Sequence, residues 1–168
     1  GNAPMIARRD RYPIILVTLA LAAFLTIVPM PGWLQSVWPY WMALTLIYWC
    51  LETQGRITLG LGFTVGIALD LLTGSLLGLH ALSLVIVIYL VNRFRARLRF
   101  FPPWQQALSV FAILMNDRII LLWVISLRGD SLPPLDFWLP PLVGTLAWPW
   151  LFIALDRMRG SMRLRATR

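Results

Sequence analysis

This chain predicts an all-α protein that crosses a membrane several times, and three observations carry the prediction. Its mean hydropathy is +0.73 with 59% hydrophobic residues, far above what a soluble domain of 168 residues shows. The apolar residues gather into six runs separated by arginines, prolines and glycines. Every basic residue is an arginine, and counting the six runs as six spans puts thirteen of the 15 on one side. That side holds Arg8, Arg9, Arg11, Arg56, Arg93, Arg95, Arg97, Arg99 and Arg157 onward. Arg128 falls on the other side and Arg118 lies inside a span. Positive charge is retained on the cytoplasmic face, so both termini are expected there.

Gly1–Pro4 precede Met5, the expected natural start, and the whole chain reads as one transmembrane domain with a basic cytoplasmic tail over 156–168. Arg8, Arg9 and Arg11 followed by an apolar run resemble a secretory leader. The run reaches Met30, however, which is a membrane span's length, so it is expected to stay as an anchor.

The first span is Tyr12 to Met30, closed by Pro29, Pro31 and Gly32, and the charge-free linker Trp33 to Pro39 leads to a second from Tyr40 to Leu51. The third and fourth, Ile57 to Leu72 and Leu76 to Val91, meet at a tight turn over Thr73 to Ser75. Both are short for a hydrocarbon core about 30 Å thick, which calls for local thinning or burial within a bundle. The fifth runs from Trp104 to Leu127. The sixth, Phe137 to Leu155, contains Pro140, Pro141, Gly144 and Pro149 and is expected to kink. Trp33, Trp38, Trp41, Trp123 and Trp138 fall at one interface level, and Trp49, Trp104, Trp148 and Trp150 at the other, as aromatic belts would. No repeat relates the two halves, which speaks against a transporter built from inverted repeats.

The richest stretch is Ile57 to Leu82, where Gly62, Gly66, Asp70, Gly74 and Gly78 recur every four residues. On a helix such residues lie nearly one above another and form a smooth groove holding one carboxylate. A helical glycine costs about 1 kcal/mol relative to alanine, and close helix contact is the usual compensation in membranes. An aspartate at mid-span costs roughly 2.5–3.5 kcal/mol, so Asp70 should face protein or water and have a partner. A packing and polar-lock role weighs more than ligand binding or chemistry.

Asn116, Asp117 and Arg118 form a second intramembrane polar cluster. Neighbours on a helix point about 100° apart, so Asp117 and Arg118 need not pair with each other. Arg118 is expected to reach Asp70 from the adjoining span, and Asn116 to hydrogen-bond across an interface; a proton or ligand path is the lesser alternative. An aspartyl-protease dyad of Asp70 and Asp117 is disfavoured, because Asp70 stands in GIALD without a Gly-x-Gly-Asp motif. His80 is expected to be a hydrogen-bonded interface residue, and Thr73, Ser75 and Ser83 have no base beside them in sequence. With one cysteine, Cys50, and one histidine, zinc and iron sites are not expected, nor is any cofactor. Nucleic acid is excluded as a partner, because the arginines flank spans instead of forming a soluble basic face. Arg93, Arg95, Arg97 and Arg99 read as a topology anchor on anionic lipid, with docking of a cytoplasmic partner as the alternative.

The glycines at four-residue spacing, with Gly62-Phe63 and Asp70, resemble the signature of the bacterial rod shape-determining protein MreD family. So do Tyr48-Trp49, Trp104-Gln105-Gln106 and Trp148-Pro149-Trp150, in this order over Arg11 to Arg159. The resemblance implies a non-enzymatic component of the inner-membrane machinery that builds lateral peptidoglycan during elongation. It implies an MreC-like bitopic partner, with the filament MreB, the glycosyltransferase RodA and its transpeptidase in the wider complex. It also implies six helices folded like the substrate-capture subunits of vitamin transporters. Its carry-over is confined to Gly62, Gly66, Asp70, Gly74 and Gly78. The rival reading is a capture subunit itself; those dock through an Ala-xxx-Ala face on the first span, a spacing that Ala20, Ala22 and Ala23 lack. A lipid-linked precursor channel would need more intramembrane polar residues than the sequence displays. Self-association is left open.

Overall fold

The computed structural model describes residues 12–53 and 57–166, with Tyr12 and 161–166 by backbone alone. Arg8, Arg9, Arg11, Arg56 and Arg168 lie outside the described residues. Six long helices run through these residues, in order α1 (Tyr12–Ile27), α3 (Trp41–Glu52), α4 (Leu59–Thr73), α5 (Leu79–Leu98), α6 (Pro103–Leu127) and α7 (Leu139–Ala166). A single turn and a half of helix, α2 (Gly32–Ser36), occupies the linker after α1, and a 3-10 turn (Leu135–Trp138) leads into α7. No strand occurs among the described residues. Three stretches are long and apolar enough to cross a membrane: Leu79–Leu98, Pro103–Leu127 and Leu135–Gly160. α1 and α4 are apolar but shorter.

The hub is α3. At 12 residues it is only about 18 Å long, yet every residue from Met42 to Leu51 is buried. It packs against α1, α5 and α7. A helix apolar on all sides can be stable only where all sides are covered by protein or lipid, and here protein covers them. Short connections make α4 with α5, and α6 with α7, antiparallel pairs. Large apolar side chains such as Phe24, Phe63, Leu71 and Leu146 point outward, as a lipid-facing shell requires.

Three expectations need correction. Trp49 and Trp148 belong to the core and not to an interfacial belt: each is almost fully buried. The Trp49 indole donates to Thr18 Oγ1 at 2.9 Å, and that of Trp148 to Gln106 Oε1 at 3.2 Å. An indole N–H can enter the interior once it has an acceptor. Trp33, Trp104, Trp123 and Trp150 remain exposed. Of the prolines in the last span, Pro140 and Pro141 sit in the first turn of α7, where no N–H is needed, and only Pro149 is interior. The last helix also continues well past Leu155, so part of the expected tail is helical.

Candidate functional site

At one end of the bundle the C-terminal parts of α1, α4 and α6 meet the N-terminal parts of α3, α5 and α7 around a cavity of about 480 Å³. This end holds most of the polar residues singled out above. α4 begins where the Thr58 side chain accepts the Leu61 N–H at 3.2 Å, and it ends where Gly74 turns left-handed at φ 69°. Its buried residues are Gly62, Gly66, Leu69 and Asp70, one stripe facing α5.

Gly66 sits against the backbone of α5. A methyl group there would overlap the main chain of Ala81 and come within 2.7 Å of the His80 carbonyl carbon. Gly62 is less constrained, because the nearest obstacle is the tip of the Ile88 side chain. Gly74 and Gly78 are not part of this groove, which corrects the expected five-member ladder. The helix stops at Thr73, both glycines have positive φ (69° and 97°), and a Cβ at either would meet nothing within 4 Å. Their work is conformational: they reverse the chain between α4 and α5.

Asp70 is consequently one turn from a helix end and not at mid-span. Its carboxylate is fully buried and accepts four hydrogen bonds, from Ser75 Oγ (2.9 Å), the Gly78 N–H (2.7 Å), the His80 N–H (3.0 Å) and His80 Nδ1 (2.8 Å). α5 has no side-chain cap of its own. Asp70 therefore caps α5 from the neighbouring helix, satisfying two otherwise orphaned N–H groups and placing negative charge at the positive end of the dipole. Arg118 is not its partner, contrary to expectation, because the carboxylate is already saturated from within the hairpin.

Ser75, His80 and Asp70 do come together, although nothing in the sequence set a base beside that serine. The arrangement is nevertheless wrong for nucleophilic catalysis. Ser75 and Asp70 both approach the same ring nitrogen, Nδ1, at 3.2 and 2.8 Å, whereas a triad needs them on opposite nitrogens. Among the described residues no three His, Cys, Asp or Glu side chains gather as metal ligands do.

Asp117 and Arg118 lie in the cavity wall. Ser83 donates to Asp117 and contacts the Tyr40 hydroxyl at 3.2 Å, giving a Tyr40–Ser83–Asp117 chain across α3, α5 and α6. Arg118 stacks over the Phe137 ring at 4.9 Å and forms no ion pair among the described residues. Asn116, half-buried, makes no side-chain hydrogen bond among them. Tyr40 gave no signal in sequence and Ser83 stood out only as a hydroxyl without a neighbouring base, because a single hydroxyl in or beside an apolar run looks like filler.

The opposite end of the bundle is closed by paired groups. Arg159 contacts Glu52 at 2.6 Å, Tyr48 donates to Asp156 at 3.1 Å, and Gln106 donates to the Leu98 carbonyl at 3.3 Å. Arg95 departs from the expected four-arginine surface, because its Nε donates to the Cys50 carbonyl at 3.0 Å and closes the C-terminal end of α3. Arg93, Arg97 and Arg99 stay exposed.

Fold and site together define a helical membrane protein whose buried charges mostly secure its own helix ends, beside a polar cavity. The profile of the rod shape-determining protein MreD family matches residues 8–158. The chain is also 30% identical over 154 residues to the rod shape-determining protein MreD of Haemophilus influenzae, a match covering 89% of this chain and 93% of that protein. The chain belongs to the MreD family, and a role in cell shape follows. No solved structure matches it.

Proposed function

We propose that this protein is a non-catalytic assembly component of the peptidoglycan-building machinery of cell elongation. It sits in the bacterial inner membrane with six crossings and both termini in the cytoplasm, folded like a vitamin-transporter capture subunit. Its direct partner is an MreC-like bitopic protein, with MreB, RodA and the RodA-associated transpeptidase beyond it, and Arg93, Arg97 and Arg99 rest on anionic lipid.

One observation carries this reading. Gly62, Gly66 and Asp70, the residues that carry the resemblance, are all turned inward to fuse α4 and α5 into one unit, while Phe63 and Leu71 on the same helix stand exposed. A rigid hairpin with an apolar outer face suits packing against a partner's transmembrane helix, where shape and not hydrophobicity supplies the energy. Co-purification from native membranes with partner identification is the test. Gly66→Leu and Asp70→Ala should weaken capture of the bitopic partner and lower the melting midpoint, and Phe63→Ala with Leu71→Ala should weaken capture alone. Undiminished capture by all four would sink the reading.

The cavity favours a second reading, a small-molecule capture subunit. A vitamin found at stoichiometric amounts in mass spectra of the purified protein would reverse the order.

A further inference from the structure

The cavity holds two polar groups that the fold leaves only partly satisfied, and they are neighbours in sequence. Asp117 gives one oxygen to Ser83, and its second oxygen has no hydrogen-bond partner among the described residues. Arg118 has its aromatic contact with Phe137 and no hydrogen bond or ion pair there. Among the described residues the one sealed-off side-chain N or O atom without a partner is Trp41 Nε1. The free atoms of Asp117 and Arg118 are therefore accessible, and both residues line the cavity. Leaving a charged pair open in a bundle is expensive unless something polar fills the space. Among the described residues the other inward charges are matched: buried Asp70 by four donors and half-buried Glu52 by Arg159.

The remaining wall narrows the chemistry. Arg118 offers a guanidinium fork, which suits an oxyanion held through two parallel N–H groups. Asp117 and Asp136 offer acceptors and would repel a bare anion, so the ligand must also bring donors. Trp38 and Phe137 add ring faces and Gln35 an amide. About 480 Å³ is the size of a small organic molecule or a lipid headgroup.

We propose that this cavity binds a hydroxylated oxyanion of headgroup size, its acidic group on Arg118 and its hydroxyls on Asp117 and Asp136. The proposal stands on the cavity alone and is independent of the partner named above. That chemistry comes from two sources, a soluble phosphate ester or the headgroup of a lipid.

The test uses the full chain in phosphatidylcholine nanodiscs, which present a phosphate without hydroxyls. One arm adds sn-glycerol 3-phosphate, and the other replaces half of the lipid by phosphatidylglycerol. A melting midpoint raised by several degrees in the first arm assigns a soluble ligand, and a rise in the second arm alone assigns a lipid headgroup. In either case Arg118→Gln should remove the rise while melting within a few degrees of wild type in pure phosphatidylcholine. Asp136→Asn, on the turn before α7, should weaken binding severalfold and covers the case where Arg118→Gln misassembles. No rise in either arm overturns the proposal, and so does an equal rise in wild type and Arg118→Gln, or in Asp136→Asn when Arg118→Gln misassembles.

Discussion

The two ends of the helical bundle treat buried polarity in opposite ways. At the arginine-bearing end, Glu52 is paired with Arg159, Tyr48 with Asp156 and Arg95 with the Cys50 carbonyl. At the other end the Asp70 cluster is equally saturated, but beside it Tyr40, Ser83, Asp117 and Arg118 surround open space. Saturated groups hold helices together, whereas groups that remain open are available to something else. Polarity inside a membrane bundle is thus informative only once its partners are known.

Mutations can break or sharpen this contrast, and the largest effect is expected where no side chain can give way. Gly66→Leu drives a side chain into the Ala81 and His80 backbone and should destabilise by about 3 kcal/mol or prevent assembly, read as melting in detergent. Asp70→Ala strands two N–H groups at the start of α5 and should lose roughly 2–4 kcal/mol, with Asp70→Asn in between because it still accepts. Glu52→Gln at the opposite end should lose about 1 kcal/mol, since Arg159 is partly exposed there and can turn to water. Trp148→Phe, which removes the bond to Gln106 but keeps a ring, should lose about 1 kcal/mol in the same assay. Arg118→Gln is expected to be the mildest, within about 1 kcal/mol without ligand, because it gives up only the contact with the Phe137 ring and no hydrogen bond or ion pair among the described residues. A loss at Arg118 as large as that at Asp70 would erase the distinction between the two kinds of polar group.

The sequence made some of these features legible and hid others for definable reasons. Helix positions followed from apolar runs bounded by Pro29, Pro31, Gly32 and Gly74, because span length and chain breakers are properties of composition. The inward stripe of Gly62, Gly66 and Asp70 followed from helical spacing. The same spacing misassigned Gly74 and Gly78, because a period of four continues on paper after the helix has ended at Thr73. The partner of Asp70 was missed because charge complementarity favoured Arg118, whereas backbone N–H groups, invisible in any sequence, had the better geometry. The central place of α3 was hidden too, since a uniformly apolar helix does not say whether lipid or protein covers it. The cavity depends on where six helices leave a gap, and no local pattern records that.

The capping of α5 by Asp70 has a consequence for how the chain is made. All four donors to that carboxylate lie between Ser75 and His80, five to ten residues downstream. The chain therefore needs to extend only ten residues past the acid before all of its hydrogen-bond donors are present, long before α6 and α7 have been translated. A charge that arrives at the translocon already masked by its own turn can be handed to lipid as part of a finished pair of helices.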